Sequence, residues 1–311
     1  VVVVDNGSTD ATAEVALGFR GQLPGLRVVS EPRAGEGFAR NRGLAEADGD
    51  LVAFTDADCV PREDWLEAAV GALRACPDCA AVAGEVAGDR PRRVVEKYLT
   101  VAAFPTPPAA QTVASLSLPP PTFYTANLVV RREVLDRLGG FDPDLRVGLD
   151  VDLCVRLLRA GFRILYEPRA VVAHVHRDSW RKAARRLFQY GAGLPAWYRK
   201  HAEPGLCLTL PGRRVVRVSR VRRPAWVNLS APDRVVLALG LLATQEPWVA
   251  ALLFGYLGRI AWRLRQVARR RGVHLSPWEL GLATVLHVAE FAVFTAGTVT
   301  GSVRQRIVCV V

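Results

Sequence analysis

The apolar run Leu51-Val52-Ala53-Phe54-Thr55 ends in two carboxylates one residue apart, Asp56 and Asp58, and is closed by Pro61. Its length, and the Asp48-Gly49-Asp50 turn before it, favour a buried strand over a helix. The two acids then stand just past the carboxyl end of a strand, where open α/β sheets bind ligands. Carboxylates this close repel one another unless a cation or a donor-rich ligand is present. Oxygen ligands suit Mg²⁺ or Mn²⁺, held by one or two carboxylates while substrate phosphates complete the shell. Taken by itself, Asp-x-Asp is read just as well as a solvated turn that caps the next helix.

Three more segments carry residues of the same chemical temper. Asp5, in VVVVDNGSTDAT, closes a strand and can accept hydrogen bonds from a heterocycle or a sugar. Arg40, in GFARNRG, falls near the start of a helix, where it can reach a phosphate. Asp150 and Asp152 open a helix in GLDVDLCVRL, and Asp152 with Arg156 has the i,i+4 spacing of an ion pair that would hold the Asp150 loop. His174 and His176 follow a strand end and share a face of an extended backbone. One of them, His174 before His176, is a candidate to complete a metal shell or to touch a diphosphate; a structural pair is the alternative. Trp180 and Tyr190 line an acceptor groove or belong to the core. Cys76-Pro77-Asp78-Cys79 follows a helix and has no second pair, so neither zinc nor a thioredoxin-like site is expected there, and the segment reads as an ordinary loop.

The elements that must position these residues alternate. Strand, helix, strand, helix and strand are expected at 1–4, 11–19, 27–30, 38–47 and 51–55, which means an α/β fold with a mostly parallel sheet covered by helices. A helix over 62–74, a strand over 80–86, a long loop over 105–121, a strand over 123–130, helices over 133–138 and 150–160, and strands over 163–166 and 170–174 follow. A basic helix is expected over 180–201, a Pro/Arg-rich linker over 211–224, and apolar helical segments over 233–271 and 277–304. The chain accordingly divides into residues 1–178, of net charge −5, and a helical C-terminal appendage, residues 179–311, of net charge +16. Such asymmetry suits an anionic membrane surface or nucleic acid, or a solvated arginine-rich face. Glu246, Pro247, Arg259 and Glu290 interrupt the apolar segments, so no full membrane span is expected. The stretch holding Gly255 and Trp262 beside Arg263–Arg271 suits an interfacial helix, with a packed helical hairpin as the alternative.

The segments around Asp5, Arg40, Asp56-x-Asp58 and Asp150 stand in one order across about 150 residues. In that order and spacing they resemble the inverting glycosyltransferases of family 2, which have the GT-A (Rossmann-like) fold. The resemblance covers roughly residues 1 to 177. It implies that Asp5 contacts the nucleotide base, Arg40 the nucleotide side of the donor, Asp56 the ribose, and Asp58 a divalent metal on the diphosphate. Asp150 matches the second position of the family's frequent Glu-Asp pair and so resembles the general base; Leu149 replaces the Glu. Asn127 falls where the family often lines the donor or acceptor pocket. The family's opening strand has no counterpart before Val1, which implies a missing N-terminal segment.

What the resemblance implies for partners is a nucleotide-diphosphate sugar, UDP- or GDP-linked, and a glycan, lipid-linked or peptide-derived acceptor. The segment from Arg146 to Leu157 with His174-x-His176 is similar to enzymes that glycosylate a peptide-derived redox cofactor, mycofactocin, and to those that build cell-surface polysaccharide. A cytoplasmic enzyme, peripheral at the inner face of the membrane, is expected, and nucleic acid is not an expected partner. Two other readings stay open. A nucleotidylyltransferase shares the sheet and the metal, although the DNGSTD turn and the Asp150 segment argue against it. A non-catalytic GT-A-like scaffold is suggested by Leu149 and the missing strand.

Overall fold

Short runs of valine and alanine make the strands, and the order in which they pair decides what the acids meet. In the computed structural model, which describes residues 1–117, 120–210, 214–219, 224–246 and 248–311, the chain begins with β1 (Val2–Asp5), α1 (Thr12–Leu17), β2 (Arg27–Ser30), α2 (Glu36–Glu46) and β3 (Leu51–Phe54). There follow β4 (Cys59–Pro61), α3 (Trp65–Ala75), β5 (Cys79–Gly88), α4 (Val94–Ala102), β6 (Gln111–Val113), β7 (Leu128–Arg131), α5 (Arg132–Leu138), α6 (Leu149–Arg159) and β8 (Arg163–His174). The remainder is α7 (Trp180–His201), β9 (Gly205–Leu210), β10 (Arg214–Val218), β11 (Pro224–Asn228), α8 (Pro232–Gln245), α9 (Val249–Arg270), α10 (Pro277–Gln305) and β12 (Val308–Val310). Two compact units result, the first from 1–85 with 106–172, the second from 86–105 with 173–311.

In the first unit the α/β character is as expected, and the sheets are mixed. β1 and β2 pair in parallel as a two-stranded sheet. The larger sheet has the order β3-β7-β5-β8-β4, with β6 added on β8, and β7 runs antiparallel to both β3 and β5. Ala81, Val82, Ala83, Leu128, Val129 and Val130 on its central strands are all buried, which is why these strands read as unbroken apolar runs rather than alternating ones. The loop expected over 105–121 contains β6, a short strand paired antiparallel with β8. The two strand pieces expected around Pro168 are one strand, because Pro168 interrupts the pattern without ending the pairing.

Cys76 and Cys79 are joined by a disulfide, which corrects the ordinary-loop reading. α3 ends at Ala75, and the Cys79 N–H donates to the Cys76 carbonyl at 2.9 Å. That turn brings the two Cα atoms to 5.3 Å, within the range a disulfide bridges.

In the second unit, β9, β10, β11 and β12 form a sheet in the order β10-β9-β11-β12, so part of the expected linker over 211–224 is strand; residues 211–213 and 220–223 lie outside the described residues. Its helical core gathers Tyr98 and Leu99 of α4, Ala183 of α7, Ile260 and Leu264 of α9, and Ala283 and Leu286 of α10. α7 begins at Trp180 and ends at His201, as the basic pattern predicts, with the Ser179 hydroxyl accepting from the Lys182 N–H. α10 is long and apolar enough, by length and composition, to cross a membrane. Glu290 divides the apolar run in sequence, as expected, and the helix continues through it.

Candidate functional site

The register of β3 against β7 builds the site. Leu51 pairs with Arg131 and Phe54 with Leu128. Because the strands are antiparallel, residues just after Phe54 come to lie beside those just before Leu128, the 3-10 turn Thr125–Asn127. Thr125 donates its hydroxyl to Asp150 Oδ1 at 2.7 Å. Asp56 and Asp150, 94 positions apart in sequence, are thereby brought within electrostatic reach of each other.

Arg40 joins them from α2. Its Nη2 stands 3.6 Å from Asp56 Oδ1 and its Nη1 3.3 Å from Glu36 Oε2, with only 16% of the side chain exposed. The guanidinium also lies over the Phe141 ring, 5.6 Å from its centroid. Burial pushes the Asp56 carboxyl above the usual carboxylate range; Arg40 pulls it back, and the charges of Asp150 and Asp58 push it further up. Burial likewise raises Asp150, against the opposing pull of Arg40 and of the Thr125 hydroxyl. Asp58 is exposed on the turn into β4, which the Cys59 N–H closes by donating to the Asp56 carbonyl at 3.0 Å.

Four carboxylates, Glu36, Asp56, Asp58 and Asp150, therefore interact around one guanidinium. That excess of negative charge, in hard oxygen donors, fits a divalent cation. Among the described residues no three His, Cys, Asp or Glu side chains are gathered as a ready cage. The fit is to a metal that takes one or two protein carboxylates and draws the rest of its shell from a ligand's oxygens.

Asp5 closes β1 in the separate two-stranded sheet, where its Oδ1 accepts the Ser8 N–H at 3.1 Å and so shapes the turn. Asn6 next to it ties that turn to the start of α2: its Nδ2 donates to the Glu31 and Arg33 carbonyls, and its Oδ1 accepts the Gly35 N–H. Asn127 is buried, and its amide is spent inside the fold. The Trp65 indole N–H donates to its Oδ1 at 2.7 Å, while its Nδ2 donates to the Glu85 and Ala170 carbonyls at 2.8 Å each. A Cβ on Gly84 would stand 2.0 Å from the Ala170 carbonyl oxygen and 2.4 Å from that Nδ2, so a glycine there makes room for the amide.

His174 belongs to the second unit. Its ring is buried, with centroids 4.9 Å from Phe104 and 4.9 Å from His176. Beside His176 a cavity of about 370 Å³ is lined by Asp89, Arg90, Arg92 and Glu96.

Three supports of the site are invisible to motif reading. Thr125 is one. Asn41 is another: its Nδ2 donates to the Phe141 carbonyl at 2.7 Å, and its Oδ1 accepts the Phe141 N–H at 2.8 Å. The third is the full reach of Arg156. It pairs with Asp152 as the i,i+4 spacing predicts, Nε to Oδ2 at 2.6 Å, and also donates to the Leu138 and Gly140 carbonyls. Asn41 and Arg156 thus both hold the Gly139-Gly140-Phe141 turn by its backbone. The only sequence signal for Asn41 is its place beside Arg40.

Comparison with known proteins shows the family and the fold. The family model described as glycosyl transferase family 2 matches residues 1–139. The chain is 30% identical to the pre-mycofactocin glycosyltransferase of Mycobacterium tuberculosis, over 98% of its own length and 75% of that protein's. It is 29% identical to the glycosyltransferase AglE of Haloferax volcanii, over 63% of each. A solved structure of the mannosyltransferase PcManGT from Pyrobaculum calidifontis, in complex with GDP-Man and Mn²⁺, superposes with a TM-score of 0.52 over 98% of the chain and 77% of that protein. At 23% identity that likeness is one of fold.

Proposed function

The chain belongs to glycosyl transferase family 2 and is a glycosyltransferase of α/β, GT-A architecture; from that premise we propose that it moves a sugar from a UDP- or GDP-linked donor to an acceptor hydroxyl, inverting the anomeric centre. The observation that carries this reading is the Asp150 carboxylate. It is held by Thr125, faces the Arg40–Asp56 pair and is raised above the usual range by burial.

A carboxylate with a raised pKa is a stronger base, and the reaction needs one to take the acceptor's proton as its oxygen attacks. Asp150 does this directly, and a single displacement on the face opposite the nucleotide inverts the centre with no covalent intermediate. Arg40 offers positive charge to the donor's phosphate side, where negative charge grows as the diphosphate leaves. Asp56 accepts from the ribose and Asp5 from the base. Asp58 would be the protein ligand of a Mg²⁺ or Mn²⁺ ion. Such an ion supplies Lewis acidity to the departing diphosphate.

Residues 1–178 carry this chemistry, and residues 179–311 a separate role. The kinship with the pre-mycofactocin glycosyltransferase supports a peptide-derived cofactor as acceptor, ahead of a glycan or a lipid-linked one. The basic charge of residues 179–311 supports a peripheral place at the cytoplasmic face of a membrane.

The test is release of nucleoside diphosphate on incubation with Mn²⁺ and a panel of UDP- and GDP-sugars, with and without acceptor extract. Wild type releases it; Asp58→Ala and Asp150→Asn do so far more slowly. No turnover with any donor, or pyrophosphate released from a nucleoside triphosphate instead, overturns the reading.

A further inference from the structure

Helix α10 has two faces with opposite fates. Its inner face is pressed against α7. A Cβ added at Gly297 would stand 2.3 Å from the Phe188 carbonyl oxygen, and one at Gly301 2.2 Å from that of Ala192. The Gly-x-x-x-Gly spacing lets the two backbones touch. On the outer face Trp278, Leu282, Val285, Val299 and Val303 are all exposed, Trp278 at 65% and Val303 at 76%. Their spacing returns to one side of the helix, so they form a stripe along nearly its whole length of about 43 Å. The stripe is uncharged. Glu279 is buried and paired with Lys97, and Glu290 turns inward to the Tyr98 hydroxyl.

The neighbouring helices repeat the pattern. α8 buries no residue, and Leu237, Leu241 and Leu242 are exposed on it. On α9 the exposed side changes character along its length, from Leu252 and Phe254 to Arg259, Arg263, Arg265, Arg269 and Arg270. Trp262, 61% exposed, lies where the two characters meet, and Trp248 just before α9 is 65% exposed. Of the seven tryptophans in the chain, three stand in water on this one group of helices. An exposed apolar surface of this extent needs a cover.

We infer that the outer faces of α8, α9 and α10 lie in the interface of an anionic lipid bilayer, apolar side chains toward the acyl chains and the α9 arginines at the phosphates. Two features choose lipid over a second copy of the chain. A second copy would bring five exposed arginines of one α9 against those of another, whereas anionic headgroups satisfy them. Tryptophans spread along such a face match the preference of indole rings for the membrane–water boundary. Insertion is shallow, because the arginines of α9 limit its lipid-facing part to the first half of the helix. The inference sharpens the peripheral location proposed above and does not depend on the transfer chemistry.

The experiment uses the full chain with phosphatidylcholine vesicles, with and without phosphatidylglycerol, read by sedimentation and by tryptophan quenching from lipids brominated on the acyl chain. The protein sediments with the anionic vesicles, and its fluorescence is quenched. The double variant Leu282→Glu/Val299→Glu, at exposed positions, binds at least about tenfold more weakly with unchanged circular dichroism. Asp150→Asn binds like wild type, which separates loss of membrane binding from loss of transfer. No sedimentation with any vesicle overturns the inference. So does a dimer in solution that the double variant dissolves, since the face is then covered by a second copy.

Discussion

Asp56-Ala57-Asp58 and Asp150-Val151-Asp152 have the same spacing and opposite outcomes. The first pair lies on a turn after a strand: Asp56 is half-buried beside Arg40, with 41% of its side chain exposed, and Asp58 is exposed outright. The second lies in the first turn of α6, where two residues of separation means nearly opposite sides of the helix. One acid, Asp150, faces the Arg40–Asp56 group; the other, Asp152, is wholly buried and taken by Arg156. A turn leaves two acids on one side of the chain, whereas a helix divides them, here into the proposed base, Asp150, and one that pairs with Arg156.

The comparison breaks most visibly at Asp150. Asp150→Asn keeps an oxygen for the Thr125 hydroxyl but cannot take a proton. kcat/KM is expected to fall by about 10²–10⁴ with the melting temperature little changed, measured by nucleoside diphosphate release and thermal scanning. If activity survives the substitution, Asp150 is not the base.

Asp152→Ala tests the other half. It leaves the Arg156 guanidinium, 19% exposed, without its buried partner, and breaking such a pair costs about 3–5 kcal/mol. The lower end is expected here, because Arg156 keeps its bonds to the Leu138 and Gly140 carbonyls. Stability in urea drops, and transfer suffers only through looser placement of Asp150. A variant as stable as wild type removes the anchoring role.

Asp58→Ala probes the turn. Its carboxylate is exposed, so stability is expected to hold, while the Mn²⁺ concentration for half-maximal activity rises about 10–100-fold, the scale on which metal-site substitutions act. A rise of similar size in Asp56→Ala would show that the turn divides its labour less than the proposed ribose and metal roles require.

How much of this was legible in sequence follows the range of the interactions. The Asp152–Arg156 pair, the strand end at Asp56 and the bounds of α7 are set by residues within a turn or a strand of one another, and spacing reveals them. Asn41 and Phe141 are 100 positions apart, and only the folded topology introduces them. Thr125 is hidden for a related reason: nothing in Tyr124-Thr125-Ala126 marks a residue that will hold the Asp150 carboxylate, until the register of β3 on β7 is known. Asn127 stands apart, since its position drew attention to a ligand pocket while its amide is used by Trp65, Glu85 and Ala170. The Cys76–Cys79 disulfide depends on where α3 stops, and boundaries are what patterns fix least well.

The smallest effect is the most discriminating, because it concerns one hydrogen bond rather than a residue's presence. The Thr125 hydroxyl donates to Asp150 and so favours its charged form, working against the burial that raises its pKa. In Thr125→Val, nearly the same in volume, that bond is gone and the Asp150 pKa rises further. A general base works only when deprotonated, so the acid limb of kcat/KM against pH moves to higher pH, while the plateau above it stays close to wild type. Thr125→Ser restores the hydroxyl and brings the limb back. If Asp150 were instead only a structural acceptor for Thr125, Thr125→Val would lower the rate at every pH and leave the limb where it was.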